Sequence, residues 1–224
     1  MSPSNAVSVA ADNHQSRSVM GRIGQVAAYL AAPLWALQAV VWIAAPKVQE
    51  PFMPYRITNP VLFELFWLSI AGAVAFSAGA ARLITTQIGA PVSRLSRMAA
   101  ALAVVALGLA TAATVCIVLA SIPVLQPAAI TLMTNLLNGA ALILAASLTL
   151  SAVACWRTRS TVGRVVIFPI ALAVLTIAMI GAILASGSQS MVGLVFAVVV
   201  AVLSGVVWFG WGKAVGGSVG RSRQ

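Results

Sequence analysis

From residue 23 onward the chain is a series of long apolar runs separated by short polar connections. Six such runs stand out: Ile23–Ala45, Pro60–Ala81, Met98–Ile122, Pro127–Cys155, Val165–Leu184 and Met191–Trp211. Each is near the ~20 residues that a helix needs to cross ~30 Å of hydrocarbon. The pattern predicts an all-α fold, a polytopic membrane protein built as a six-transmembrane-helix bundle. The fourth run is the longest, which predicts a tilted helix or one that extends past the membrane. Residues 1–20 are rich in Ser, Asn, Gln and Asp and are predicted to be a disordered leader. Residues 21–212 then form one transmembrane domain, and 213–224, ending GGSVGRSRQ, a flexible tail. The first run is too long for the apolar part of a signal peptide and reads as an uncleaved anchor.

Composition supports the membrane reading. Of 224 residues, 61% are hydrophobic and 7% charged, against about a quarter charged in soluble domains. The three acids are Asp12, Glu50 and Glu64, facing thirteen Lys and Arg and a net charge of +10. That charge does not point to nucleic acid, because the cations cluster at the ends of the apolar runs. Arg17, Arg22, Arg82, Arg94, Arg97, Arg157, Arg159, Arg164, Lys213, Arg221 and Arg223 fall on one side, and only Lys47 and Arg56 on the other. The positive-inside rule then puts both termini in the cytoplasm. Heavy use of Arg, Ala, Val and Gly suggests a GC-rich bacterial genome, hence the bacterial cytoplasmic (inner) membrane. Trp42, Trp156, Trp208 and Trp211 lie near run ends, where an aromatic belt is expected, while Trp35 and Trp67 lie deeper and read as packing residues.

Polar residues inside the runs change the picture most. In TLMTNLLNGAAL, residues 131–142, Asn135 and Asn138 interrupt an apolar stretch. At 100° per residue, Thr131, Asn135, Asn138, Leu142, Ala145 and Thr149 share one sector of the helix. Met133, Leu136, Leu137, Ile143 and Leu144 occupy the other side. The polar stripe is therefore predicted to face other helices and the bulky side to face lipid. The short connection SIPVLQP predicts an antiparallel hairpin of the third and fourth runs. A turn near Val124 sets residues whose numbers sum to about 249 at equal depth, which would pair Thr114 with Asn135 and Thr111 with Asn138 through hydrogen bonds.

Glu64 is the one acid within a run. It shares a face with Leu68, Ala71, Ala75, Ala78 and Gly79, and so is predicted to point towards the bundle. Gln38, Glu64, Thr111, Thr114, Asn135 and Asn138 all belong to the outer half. Arg56 lies close enough in sequence to pair with Glu64. Two arrangements accommodate this set: a hydrogen-bonded seam, or an outward-facing polar cavity. The loop PKVQEPFMPYRITN carries Lys47, Glu50, Tyr55 and Arg56 and could receive an anionic group.

Catalytic chemistry is hard to build from this inventory. The single histidine, His14, lies in the leader, and Cys116 and Cys155 form no CxxC. No catalytic residue, cofactor site or metal site is expected, and no phosphate-binding, zincin or hydrolase motif occurs in a usable context. The expectation is a non-enzyme: an accessory or scaffold subunit of an envelope or transport complex. The small face of Gly108, Ala112, Cys116 and Ala120 is its positive sign. The alternative is a small permease or binder of an apolar or cationic solute acting through Glu64. A lipid-active enzyme using Glu64 and Arg56 is a third class. Expected partners are the lipid bilayer and a larger membrane complex or homo-oligomer, not nucleic acid.

Overall fold

A computed structural model describes residues 3–48, 56–88, 94–120, 122, 124–157, 163–185 and 191–221. Among these described residues there are six helices: α1 (Pro3–Ala44), α2 (Pro60–Ile88), α3 (Arg94–Leu119), α4 (Gln126–Arg157), α5 (Gly163–Ala185) and α6 (Met191–Arg221). Between α1 and α2, the short strands β1 (Lys47–Val48) and β2 (Arg56–Ile57) pair antiparallel. The fold is all-α, as the apolar runs predict. Among the described residues five helices contain stretches long and apolar enough to cross a membrane: Val19–Ala44, Pro60–Thr85, Arg94–Leu119, Gln126–Ala154 and Val198–Val215. Among the described residues α5 contributes a shorter apolar stretch, Ile167–Ala178. The chain is a multi-pass membrane protein.

Two helix extents differ from expectation. The helix α1 already begins at Pro3, inside the segment expected to be disordered. Proline is well suited to a first helical position, because its missing N–H has no partner there anyway. Residues 4–20 then contain neither Gly nor Pro to interrupt the helix. At the other end α6 continues to Arg221, through most of the expected flexible tail. The second helix starts as its sequence suggests. The side chain of Asn59 accepts a hydrogen bond from the Leu62 backbone N–H at 3.2 Å, capping the helix in front of Pro60.

The helices pack in chain order, each against the next, and α6 returns to α1, so the bundle closes as a ring. Helix α2 also reaches α4 across it. Lipid is as apolar as the packed side chains, so close fit, rather than hydrophobic segregation, must hold such helices together. The packing face of α3 shows how: Ser96, Ala99, Ala103, Ala106, Ala110, Ala113, Cys116 and Ile117 are buried, nearly all of them small. The α1–α6 closure depends on glycine. A Cβ on Gly205 would lie 2.8 Å from the Ala32 carbonyl oxygen, and one on Gly212 would lie 2.9 Å from the Tyr29 ring. Tyr29 in turn stacks on Phe209, with ring centroids 5.2 Å apart, and its hydroxyl accepts from Gln25 Nε2 at 3.0 Å.

The hairpin of α3 and α4 forms as expected. Ser147 Oγ donates to the Ala99 carbonyl at 2.8 Å, and a Cβ on Gly139 would sit 3.7 Å from Leu109 Cδ1. These facing pairs sum to 246 and 248, within a few residues of the register read from the turn.

Candidate functional site

The face of α4 that points inward is the reverse of the one expected. Met133, Leu137, Ala140, Leu144 and Leu148 are at most 4% exposed and form the packing side. Thr131, Asn135, Leu142 and Thr149 are exposed, and Asn138 is half-buried. The bulky face assigned to lipid thus packs the bundle, with Leu136 and Ile143 half-buried at its edge. The polar stripe looks outward. Large apolar side chains gain dispersion contact inside the bundle, and on α4 that packing, rather than hydrogen bonding to α3, decides which face turns inward.

The expected Thr–Asn pairs are not made. Thr111 Oγ1 donates to the Leu107 carbonyl at 2.8 Å, and Thr114 Oγ1 to the Thr111 carbonyl at 2.6 Å. Leu109 of α3 lies against Gly139 of α4, and Thr111 is rotated about 200° away from Leu109 at 100° per residue. The register was legible, but the helix faces were not.

Hydroxyls on the α4 stripe also satisfy themselves locally. Thr131 Oγ1 donates to the Pro127 carbonyl at 3.0 Å, and Thr149 Oγ1 to the Ala145 carbonyl at 2.9 Å. The carboxamides differ. No hydrogen bond to the side chain of Asn135 or Asn138 occurs among the described residues. Asn135 and Asn138 lie about 13 and 18 Å along α4 from Gln126, at 1.5 Å per residue. Both are therefore well inside the span. An amide without a partner costs roughly 4–8 kcal/mol in a medium that cannot hydrogen-bond.

The rest of the outer set is not gathered around one point. Gln38 is buried in α1. Glu64 is on the exposed side of α2 with Leu65, Leu68 and Arg82, not turned to the bundle, although Ala71 and Ala78 of its expected face are fully buried. Arg56 has its backbone in β2, opposite Val48; its side chain, like Glu50 and Tyr55, lies outside the described residues. Of the small α3 face, Cys116 and Ala120 are buried, while Gly108 and Ala112 are exposed.

Buried polar contacts gather instead at the arginine-rich end, among α2, α3 and α4. Thr85 Oγ1 and Ser151 Oγ lie 2.9 Å apart. Thr85 Oγ1 is also in hydrogen-bond reach of the Ala81 carbonyl, and Ser151 Oγ of the Ser147 carbonyl at 2.8 Å. Two hydroxyl protons serve three contacts, so one contact is unmade at any moment. Ser147 adds its bond to α3. These contacts make a polar seam among α2, α3 and α4, at the opposite end from the pairs the sequence suggests. The hydroxyls at 147 and 151 were visible in the sequence, but nothing there set Thr85 opposite them.

The tryptophans divide in a similar way. Trp35 is buried and donates from Nε1 to Ser77 Oγ at 3.1 Å, and Trp67 packs among α2, α3 and α4, both as expected. Trp156 is 76% exposed, which suits an aromatic belt. Trp208 and Trp211 do not belong to a belt: each is 1% exposed, and they stack at 5.3 Å within the core. Because α6 runs on to Arg221, Trp211 stands ten residues, or about 15 Å, before the helix end. The Nε1 atoms of Trp67 and Trp211 are buried with no hydrogen-bond partner among the described residues.

Comparison of the chain with protein-family models, with curated proteins and with solved structures finds no match.

Proposed function

We propose that this protein is a non-enzymatic accessory or scaffold subunit of the bacterial cytoplasmic membrane that docks another transmembrane helix against α4. All six helices cross in this reading, with both termini in the cytoplasm. The observation that carries it is the outward position of Asn135, an exposed carboxamide inside the span with no partner of its own among the described residues. Such a group is costly against lipid and is relieved by a helix that can hydrogen-bond it. The exposed Gly108 and Ala112 of neighbouring α3 leave room for close approach. The permease reading has less support, because Glu64 and Asn135 are both exposed on different helices rather than joined in one interior site.

A photo-reactive residue incorporated at position 135 tests the docking. Irradiated in native membranes, it should give a discrete protein adduct, while the same residue at Val174, an exposed position on α5, should give lipid adducts only. Lipid adducts alone at both positions would refute the proposal. Reporter fusions after Arg97, Arg164 and Gln224 should read as cytoplasmic, and fusions at Pro54 and Ser188 as external. A cytoplasmic signal at Ser188 would overturn the six-crossing topology.

A further inference from the structure

We infer that the helix docked on α4 is α4 of a second copy of this chain, the two running parallel about a two-fold axis along the membrane normal. The inference rests on the docking role proposed for this face and names its occupant. Three observations converge on it.

The first is spacing. Residues 131, 135, 138, 142, 145 and 149 advance by four, three, four, three and four. This is the alternating pattern of a left-handed two-helix seam, whose mean repeat is 3.5 residues. Five of the six face outward or partly so: Thr131, Asn135, Leu142 and Thr149 are exposed and Asn138 is half-buried. The sixth, Ala145, is turned into its own bundle, and Ala146 beside it is exposed. A seam pattern has no use on a helix face that meets only lipid, and α4 spends its other face on α2, α3 and α5.

The second is depth. Copies of one membrane protein insert in the same orientation, so a two-fold relating them lies along the membrane normal. Each α4 residue then meets its own copy at its own depth, as an isologous interface requires. A partner of different sequence would have to supply hydrogen-bonding groups at two prescribed depths; a second copy supplies them by construction.

The third is chemistry. A carboxamide carries both an N–H2 donor and a carbonyl acceptor, so asparagine can bond asparagine reciprocally. The threonines of the stripe have already given their single protons to Pro127 and Ala145 carbonyls. That leaves Asn135 and Asn138 as the groups in need of partners. Asparagine in such a seam is also the residue type that specifies register and oligomer state.

The test uses the full chain in its native membrane. Two differently tagged copies are co-expressed, extracted in mild detergent and captured through one tag. Separately, Asn135→Cys and Asn138→Cys are oxidised in a background carrying Cys116→Ser and Cys155→Ser, with Val174→Cys as the control. The tags should co-purify, and the seam cysteines should give a species of about twice 23.0 kDa that the control lacks. Asn135→Leu together with Asn138→Leu should weaken self-association by about three-fold to about twenty-fold, the range that interhelical hydrogen bonds contribute in membranes. The substituted side chains are exposed or half-buried, so extraction yield and unfolding should not change. Asn135→Gln, which keeps the carboxamide, should retain more of the dimer than Asn135→Leu. Equal cross-linking at the seam and at 174, or tags that do not co-purify, would overturn the inference. A position-135 adduct with a different protein and no self-association would overturn it while leaving the docking role intact. Loss of both adduct and dimer would remove the docking role too.

Discussion

Closure of the ring between α1 and α6 should depend on the missing side chain at position 205. A Cβ there would stand 2.8 Å from the Ala32 carbonyl oxygen, with the Ala32 carbonyl carbon and Cα at 3.6 and 3.8 Å. The nearest atom is backbone, fixed in the hydrogen-bonded ladder of α1, and cannot rotate away. Restoring an ordinary contact requires the two helices to separate by about 0.5 Å, which forfeits a quarter or more of the dispersion at each facing pair. Overpacking of this kind costs about 1–3 kcal/mol. Gly→Ala in a helix returns up to about 1 kcal/mol through propensity. With that offset Gly205→Ala should destabilise by up to about 2 kcal/mol. The same exchange at Gly108, where an added Cβ meets nothing within 4 Å, should be neutral or stabilising by up to about 1 kcal/mol. The assay is reversible unfolding in mixed micelles with increasing denaturing detergent, both variants run beside the parent. Identical unfolding curves for the two variants would refute the close approach of α6 to α1.

Other predictions follow from the buried polar contacts. Thr85→Val and Ser151→Ala should each cost less than about 1 kcal/mol, because the surviving hydroxyl keeps its own carbonyl acceptor; a double-mutant cycle with coupling above about 2 kcal/mol would contradict the proton count. Trp35→Phe removes a buried hydrogen bond to Ser77, whereas Trp211→Phe removes a buried donor with no partner among the described residues. The first should therefore be the more damaging by about 1–2 kcal/mol in the same unfolding assay, and the reverse order would count against the assignment. Glu64→Gln should leave membrane yield and unfolding within about 1 kcal/mol of the parent, since Glu64 is exposed only about 6 Å from the start of α2, where a carboxylate can reach water and exposed ion pairs contribute little. A larger loss would make Glu64 a structural residue.

Much of the architecture was legible because membrane crossing imposes length and apolarity on a contiguous stretch. The hairpin of α3 and α4 followed from its short turn, but the small face read as Gly108, Ala112, Cys116 and Ala120 is only half right, because the packing face runs through Ala99, Ala103, Ala106, Ala110 and Ala113 to Cys116 and leaves Gly108 and Ala112 exposed. Which face of α4 turns inward was not legible. In water, polar groups mark the outside of a helix; in a membrane bundle both sides are apolar, so Met133 and Leu142 carry no label of inside or outside. The rule that polar stripes face protein was applied to the chain's own helices, and Asn135 instead lies on the outer surface. Trp208 and Trp211 stand near the end of an apolar run, where a belt is expected, but not at the end of the helix, because α6 extends beyond it. The Thr85–Ser151 contact depends on how α2 crosses to α4, a tertiary fact with no local signature.

A scan of photo-reactive residues along α4 from position 128 to 153, read in native membranes, tests most directly the claim that the outward stripe is the contact face. Protein adducts should peak at 131, 135, 138, 142 and 149, with the period of a helix seam, and vanish at 133, 137, 140, 144 and 148, where added groups would instead lower the yield of folded protein. A profile without periodicity, or one with intermolecular adducts peaking on the Met133–Leu148 side, would contradict the account.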